Sequence, residues 1–342
     1  MILDKTRLTY VSAVAVGAGT VVVIFWWWWT KRQKDRPPLE WRKVGELSDL
    51  VVFPVKSLGP VRLNSMECTK LGLKSGWLRD RALMVIDLNG HFVTARQWPK
   101  LVQVSPSVSG SVLTLSAPGM MSVSIDLSRI HGKGFRVAIW GQPVAASDCG
   151  EEPARWLSRF LLQEDTGFRL VYYPLNYPTR EVRQKSKYFP LTNDDTGIYP
   201  DQTSYCLINE SSVTDLNTRL EEPVVSQNFR PNFLVKGAAA YEEDSWGWVK
   251  IGNVIFKNVK PCTRCIFVNV NPETGQKHPN AEPLKTLKSY RQITDPAIRP
   301  LVGESPVMGV HLGLRCSGGT VRLCDPVYVG VPDEQPPLIS PP

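Results

Sequence analysis

The sequence predicts an α+β fold that is mostly β, with two β-barrel domains in tandem preceded by one transmembrane helix. Many short apolar runs alternate with turn residues, whereas few segments have helical periodicity. An uncharged apolar stretch lies near the N-terminus. A chain of 342 residues with 42% hydrophobic and 21% charged residues is long enough for two globular domains, which excludes a wholly disordered chain and a polytopic membrane protein.

The membrane prediction depends on residues 8–29, LTYVSAVAVGAGTVVVIFWWWW, which contain no charge. As a helix this stretch spans about 33 Å, enough for a hydrocarbon core of about 30 Å. The heavier basic flank follows the stretch, at Lys31, Arg32, Lys34 and Arg36, which predicts that the body faces the cytosol. Residues 1–32 are therefore the expected membrane anchor. A cleavable signal peptide is the alternative, although its apolar core normally ends in small residues.

A linker is predicted over residues 33–47, and a disordered proline-rich tail over residues 332–342. Between them, the first block contains a strand at 50–55, hairpins at 82–95 and 111–127, a strand at 135–140 and a helix at 151–162. The second block begins near residue 179. Its predicted helices are 211–220 and 284–290, and its predicted strands are 205–208, 233–236, 248–251, 254–259, 266–270, 307–312 and 320–323. No GxGxxG or GxxxxGK[ST] motif follows a strand, so a Rossmann or P-loop nucleotide enzyme is not expected.

The net charge of +8 suits nucleic acid, an anionic membrane surface or an anionic ligand. No RNP-type aromatic motif or zinc-finger spacing is present, so no nucleic-acid partner is expected. Seven cysteines, an odd number in a chain of this length, indicate reduced thiols instead of a disulfide framework.

The densest chemical motif is Cys262-Thr263-Arg264-Cys265. A zinc site normally needs a second such pair, and a redox dithiol normally opens a helix, whereas β-branched and aromatic residues follow here. A single thiolate that holds a soft or high-valent metal is a third interpretation, with Arg264 as a nearby cation. Two buried core thiols are the default for free cysteines. The spacing leaves these alternatives open.

A second group of residues is basic or hydroxylated and lies at predicted strand ends: Lys56, Ser57, Arg81, Thr203, Ser204, Arg230 and Asn232. Such groups form phosphate or anion sites when they converge. Taken singly, each is also an ordinary surface or turn residue.

Seven phrases in this order resemble the MOSC-domain molybdenum enzyme family, and within it the vertebrate mitochondrial amidoxime-reducing components. They are FPVKS at 53–57, LRDR at 78–81, VTARQ at 93–97, NFRPN at 228–232, CTRC at 262–265, EPLKTLKSYRQ at 282–292 and DPVYV at 325–329. The resemblance extends from the anchor to Tyr328. It implies a MOSC N-terminal β-barrel domain over 48–170 and a MOSC domain over 179–329.

The resemblance also implies a molybdopterin form of the molybdenum cofactor, with Cys265 as the catalytic protein ligand to molybdenum. The matching cofactor-binding positions are Lys56, Ser57, Arg81, Thr203, Ser204, Arg230, Asn232, Thr263 and Cys265. Two positions depart from the family pattern: Leu58 stands where a basic residue is expected, and Cys324 stands where glycine is usual.

The implied activity is reduction of amidoximes, N-hydroxyguanidines and hydroxylamines, with nitrite as a further candidate. The chain shows no haem, flavin or iron–sulfur motif, so its electrons come from outside. The resemblance names the donors as outer-membrane cytochrome b5 and NADH-cytochrome b5 reductase, and the location as the mitochondrial outer membrane, with the body in the cytosol. An apolar anchor with basic residues on both sides suits the mitochondrial outer membrane, and the endoplasmic reticulum is the alternative for the anchor alone. The alternative function is a non-catalytic MOSC module that carries cofactor or sulfur.

Overall fold

The computed structural model describes residues 36–130, 134–182 and 186–331. The predicted transmembrane helix at 8–29 and the predicted tail at 332–342 lie outside these residues. Among the helices within the described ranges, none has the length and apolar character needed to cross a bilayer.

The described residues form nineteen β-strands and four α-helices, which confirms the prediction of a mostly β protein. The helices are α1 (Glu151–Leu162), α2 (Glu210–Asn217), α3 (Leu284–Tyr290) and α4 (Arg299–Val302). The strands are β1 (Glu40–Val52), β2 (Val61–Arg62), β3 (Ser65–Thr69), β4 (Gly72–Ser75), β5 (Leu78–Arg79), β6 (Leu83–Asp87), β7 (Ser105–Ser109), β8 (Val112–Ser116), β9 (Val123–Asp126), β10 (Phe135–Ile139), β11 (Gln142–Asp148), β12 (Phe168–Tyr172), β13 (Tyr205–Asn209), β14 (Phe233–Lys236), β15 (Trp248–Ile251), β16 (Val254–Thr263), β17 (Val307–Leu314), β18 (Gly319–Arg322) and β19 (Pro326–Val331).

Seven strands close into a ring in the order β14-β13-β17-β16-β15-β19-β1, because β1 pairs with both β19 and β14. Within the ring only β13 and β14 run parallel. The interior is filled by apolar side chains, among which the rings of Tyr205 and Phe233 stack with centroids 5.7 Å apart. Phe256 packs against both. Closure leaves the ring without a free edge, as expected of a β-barrel.

The structure differs from the predicted linker at residues 33–47, since residues 40–47 belong to β1. Glu40 pairs with Val331 and Glu46 with Pro326, while Leu47 faces the core with no exposed surface. Register shifts between Lys43 and Gly45 and between Leu47 and Asp49 break the period of two, so this strand shows no simple alternation in the sequence. The strand bends at Gly45, where a Cβ atom would lie 2.1 Å from the carbonyl oxygen of Lys236.

The first block builds a four-stranded sheet in the order β10-β11-β12-β6 and a three-stranded sheet β7-β8-β9, which share one apolar core with α1. The helix has the predicted bounds, 151–162. The predicted strand at 91–95 makes only isolated bridges at His91 and Phe92. The predicted strand at 266–270 is wrong, because Ile266–Asn269 form a short 3-10 helix.

Strands from the two predicted domains, 48–170 and 179–329, share sheets with each other. Strands β1 and β2 belong to the sheet of the ring, and β18 heads the sheet β18-β3-β4-β5. Backbone hydrogen bonds therefore join the first 80 residues to the second block. Because strands of the two blocks share sheets, the segments that follow β1 and β5 lie beside the segments that precede β13 and β14.

Candidate functional site

A cavity of about 340 Å³ lies where these segments meet. Eight of the nine predicted site residues line it: Lys56, Ser57, Arg81, Thr203, Arg230, Asn232, Thr263 and Cys265. They come from segments that are distant in the chain. The structure therefore places in one cavity the residues that the sequence grouped by residue type and by family phrase, without showing that they lie close together.

The two cysteines of the CTRC motif have different environments. Cys265 is exposed to the cavity and lies just before the 3-10 helix Ile266–Asn269. Cys262 is buried, and its Sγ atom lies 3.8 Å from the Sγ of Cys206. Their mutual hydrogen bond lowers the pKa of Cys206 and raises that of Cys262. Cys265 is therefore the thiol of this motif that a ligand in the cavity can reach.

Arg264, the cation expected near the metal-binding thiol, lines the same cavity as Cys265, but its side chain binds backbone groups. Its guanidinium is buried and donates to the carbonyl oxygens of Met308 and Phe229, with Nε 2.8 Å from the former. Arg96 is the cation that contacts Cys265, with Nη1 3.6 Å from Sγ.

Asp201 organises this side of the cavity. Its carboxylate accepts hydrogen bonds from Lys56 Nζ at 2.5 Å, Arg96 Nη1 at 3.2 Å and Trp140 Nε1 at 3.0 Å. Burial acts to raise the pKa of Asp201, but the Lys56 and Arg96 cations outweigh it and hold this pKa below its usual range. Burial lowers the pKa of Lys56 to about 8 despite the opposing pull of Asp201. The guanidinium of Arg96 also lies 5.0 Å from the ring of Trp140.

Two arginines occupy another part of the cavity wall. Arg81 is paired with Asp80, and its Nη2 donates to the carbonyl oxygen of Arg230 at 3.3 Å. The guanidinium of Arg230 stacks on Phe53 at 3.9 Å. Three of the predicted site residues have left-handed backbones, with φ of 72° at Ser57, 48° at Arg81 and 53° at Arg230. Non-glycine residues in this region cost energy and concentrate at functional sites.

The environment of Arg230 shows whether the cavity suits an anionic cofactor. Its Nη2 is buried and has no hydrogen-bond partner. Burial, and then the neighbouring Arg81 cation, lower the pKa of Arg230 well below its usual value. A buried guanidinium nitrogen that lacks an acceptor is costly. A phosphate in the cavity would supply the missing acceptor for Nη2 and a negative charge beside the Arg81 and Arg230 cations, so the residues fit a phosphate-bearing ligand.

Not every predicted residue has free polar atoms. Ser204 does not line the cavity, since its Oγ donates to the carbonyl oxygen of Lys70 at 3.0 Å. The amide of Asn232 bridges Val51 and Cys206, with Nδ2 3.1 Å from the carbonyl oxygen of Val51. These two side chains hold neighbouring segments together.

Comparison with protein-family models matches residues 44–164 to the MOSC N-terminal beta barrel domain and residues 194–328 to the MOSC domain. The chain is 39% identical over 289 residues to mitochondrial amidoxime reducing component 2 of Bos taurus, covering 84% of each chain. It is 39% identical over 293 residues to mitochondrial amidoxime-reducing component 1 of Homo sapiens, again covering 84% of each. The component 1 of Mus musculus is 37% identical and matches 94% of this chain and 93% of its own.

The chain belongs to the family of mitochondrial amidoxime-reducing components. In this member of the family, sequence reasoning missed Arg96, Asp201, Trp140 and His311, all of which line the cavity. Arg96 stands in the VTARQ phrase and Asp201 stands two residues before Thr203. These two positions, one within a phrase of the family and one next to a predicted site residue, were the signals from which Arg96 and Asp201 could have been found.

His311 lies on β17 at the cavity wall. Its Nδ1 lies 2.7 Å from Thr203 Oγ1, which donates to the carbonyl oxygen of Tyr205 at 2.9 Å. Burial, followed by the nearby Lys260 and Arg264 cations, lowers the pKa of His311 to about 3. The imidazole is therefore neutral at physiological pH, and its Nδ1 hydrogen donates to Thr203.

Proposed function

We propose that the protein is a molybdenum-dependent reductase of N-hydroxylated compounds, namely amidoximes, N-hydroxyguanidines and hydroxylamines, with nitrite as a further substrate. The observation that supports this most strongly is the presence in one cavity of an exposed thiol, Cys265, and of the buried Nη2 atom of Arg230, which has no hydrogen-bond partner. A soft thiolate suits molybdenum and the cation suits a phosphate. The named relatives support reduction of amidoximes.

The cofactor proposed is molybdopterin with molybdenum ligated by Cys265. Arg230, Arg81, Lys56 and the hydroxyl of Ser57 hold the anionic pterin phosphate, and Thr263 contributes a further polar contact. All five line the same cavity as Cys265. Thr203, Ser204 and Asn232 act mainly through the backbone they hold, as their hydrogen bonds indicate.

The bound molybdenum centre supplies the two-electron chemistry that removes the hydroxyl oxygen from nitrogen. The protein's part is to bind and orient. Arg96, fixed by Asp201 and Trp140, donates toward the Sγ of Cys265 and so holds this thiolate in one orientation. Leu58, buried without exposed surface, helps to exclude water behind the segment that contains Lys56 and Ser57.

For the electron supply we propose an outer-membrane cytochrome b5 and NADH-cytochrome b5 reductase. The chain's excess of basic residues, with a net charge of +8, supports docking of an acidic donor. We propose a single-pass anchor at residues 8–29 in the mitochondrial outer membrane, with the body in the cytosol. The names of the relatives support a mitochondrial location.

The test is molybdenum and pterin content of the full-length protein, made in a host that synthesises the cofactor, followed by reduction of benzamidoxime with an artificial electron donor. We expect about one molybdenum per chain, loss of metal in Cys265→Ser, and no loss in Cys324→Ser, a matched change at another exposed cysteine. A protein without molybdenum contradicts the proposal. A protein that binds cofactor and reduces no N-hydroxylated compound supports the alternative, a MOSC module that carries cofactor or sulfur.

A further inference from the structure

The ring of strands has aromatic and basic side chains side by side on three neighbouring strands, β1, β19 and β15. Lys43 and Lys250 both pair with Tyr328, which places these three side chains in one row on one face of the sheet. The Nζ atom of Lys250 lies 4.6 Å from the ring centroid of Tyr328 and 4.9 Å from that of Trp41. Trp248 stands two positions before Lys250 on β15, so it points to the same side. These five residues form the aromatic–lysine face.

This face is the outer side of the ring. The alternate positions of the same strands carry Val249, Val327 and Val329, which fill the interior and have no exposed surface. Successive side chains of a strand point to opposite sides of the sheet. Lys43 is exposed to solvent, and the other four residues of the aromatic–lysine face are half-buried.

The charge of the aromatic–lysine face is positive. Its only charged members are the two lysines, and Glu46, an acidic residue on the same side of β1, is paired with Lys236, with Oε1 2.8 Å from Nζ. Indole and phenol rings favour the boundary between water and lipid. Lysines at that boundary keep their alkyl stems on the apolar side and bring the ammonium group to acidic headgroups. The combination therefore fits a surface that is both anionic and partly apolar.

The chain itself keeps this face close to the proposed membrane anchor. The uncharged stretch of the sequence ends at Trp29, and β1 begins at Glu40. The segment from Trp29 to Trp41 spans at most about 45 Å even when fully extended. A tether this short holds the face at a high effective concentration beside the bilayer.

We infer that the aromatic–lysine face rests on an anionic membrane surface, with its three rings at the level of the headgroups and its two lysines against acidic lipids. This inference rests on the anchor proposed at residues 8–29 and adds a second contact, which fixes the orientation of the barrel on the bilayer. Sheet faces with aromatic and basic residues also bind single-stranded nucleic acid. The tether favours the membrane, because it supplies lipid and no nucleic acid.

The test is hydroxyl-radical labelling of the full-length protein in nanodiscs, read by mass spectrometry. One set of nanodiscs contains phosphatidylcholine alone, and the other also contains phosphatidylserine. We expect labelling of Trp41, Trp248 and Tyr328 to be at least threefold lower in the anionic nanodiscs. Trp77 and Tyr177, which are 43% and 57% exposed and lie outside the face, should be labelled equally in both. Equal labelling of the face in the two lipids overturns the inference, as does protection by single-stranded RNA in place of lipid.

Reversing the charge of the face gives the second arm of the test. The double variant Lys43→Glu, Lys250→Glu should lose the protection of Trp41 in anionic nanodiscs. The matched control is Lys285→Glu, Lys288→Glu, at exposed positions of α3, which should keep it. Lys43→Glu alone serves if the double variant does not fold. Protection that survives reversal of the face, or that is lost equally in the control, overturns the inference.

The anchor is tested separately by washing vesicles that carry the full-length protein with alkaline carbonate. A protein that resists the wash and has an unprotected face contradicts this inference and leaves the anchor in place. A protein that the wash releases contradicts the anchor.

Discussion

The Nη1 atom of Arg96 lies 3.6 Å from the Sγ atom of Cys265, although 169 positions separate the two residues in the chain. Asp201 holds Arg96 by an ion pair and also binds Lys56. One carboxylate thus connects a cation proposed to bind phosphate with a cation at the proposed metal ligand. Hydrogen bonds to a ligating sulfur tune the reduction potential of a metal centre.

Arg96→Gln should lower the reduction potential of the bound molybdenum. Loss of one charge-assisted bond to the thiolate, worth about 1.4 kcal/mol, corresponds to about 60 mV for one electron. The measurement is a redox titration followed by the Mo(V) EPR signal. Arg62→Gln, which removes a surface arginine paired with Asp49, is the control. An unchanged potential with full metal occupancy would show that Arg96 does not act on Cys265.

The two cysteines of the CTRC motif should give opposite phenotypes. Cys262→Ala removes a buried thiol and should cost about 1–2 kcal/mol of unfolding free energy while molybdenum content stays near the wild-type level. Cys265→Ala should leave the unfolding free energy within about 0.5 kcal/mol in cofactor-free protein and abolish metal binding. Chemical denaturation measures the unfolding free energy of each variant, and metal analysis measures its molybdenum content. Metal loss in Cys262→Ala with retained stability would reverse the assignment.

Arg230→Met should raise the stability of the cofactor-free protein and lower its affinity for the cofactor. The substitution removes a cation that burial destabilises, together with a buried Nη2 atom that has no hydrogen-bond partner, while keeping an unbranched side chain against Phe53. The expected gain is about 1–3 kcal/mol. Arg159→Met, which breaks the exposed pair with Asp165, should change neither quantity. A destabilised Arg230→Met variant would mean that the guanidinium is satisfied within the protein.

The stability of the protein should fall as pH rises toward 7 because of Glu243. Burial, and then the nearby Asp244, raise the pKa of this carboxyl to about 7, and Ser212 Oγ lies 2.9 Å from it. The folded pKa exceeds the unfolded one, so the contribution is complete below about pH 4.5 and is lost through pH 7. The shift corresponds to about 3 kcal/mol.

Glu243→Gln should therefore flatten the dependence of unfolding free energy on pH between 5 and 8. Glu67→Gln, at an exposed strand position, is the matched control and should retain the wild-type slope. Urea titrations at several pH values provide the measurement. An identical slope in wild type and Glu243→Gln would assign the dependence to other groups.

Removal of residues 1–35 should leave a folded protein, whereas removal of residues 1–47 should not. The longer deletion takes away the part of β1 that pairs with β19, together with the buried side chain of Leu47. Circular dichroism and thermal melting distinguish the two outcomes. A cooperative melt after the longer deletion would restore the original interpretation of residues 33–47 as a linker.

Prediction from sequence succeeded where the information is local. Strands β14 and β15 and helix α1 have the predicted bounds because a short apolar run or an amphipathic period determines each. The first half of β1 was missed because its partner β19 is distant in the chain and because a register shift between Lys43 and Gly45 breaks its alternation. A local pattern contains no information about such a partner.

The candidate site shows the same limit. Residue types and phrases identified Lys56, Arg81, Arg230 and Cys265, and the structure places all of them at one cavity. The sequence could not predict the direction in which each side chain points. Arg264, next to Cys265 in the chain, donates to buried carbonyl oxygens instead.

The pairing of Glu40 with Val331 has a consequence for biosynthesis. The first strand of the ring leaves the ribosome early, yet its partner β19 is among the last described segments to be made. Its edge therefore stays unpaired during most of translation, and unpaired edges invite aggregation. The exposed charged side chains of β1, Glu40, Arg42 and Lys43, are suited to keep this strand soluble until β19 has been synthesised. Chaperones that hold nascent chains are expected to matter more for this protein than for one whose first strands pair with their neighbours.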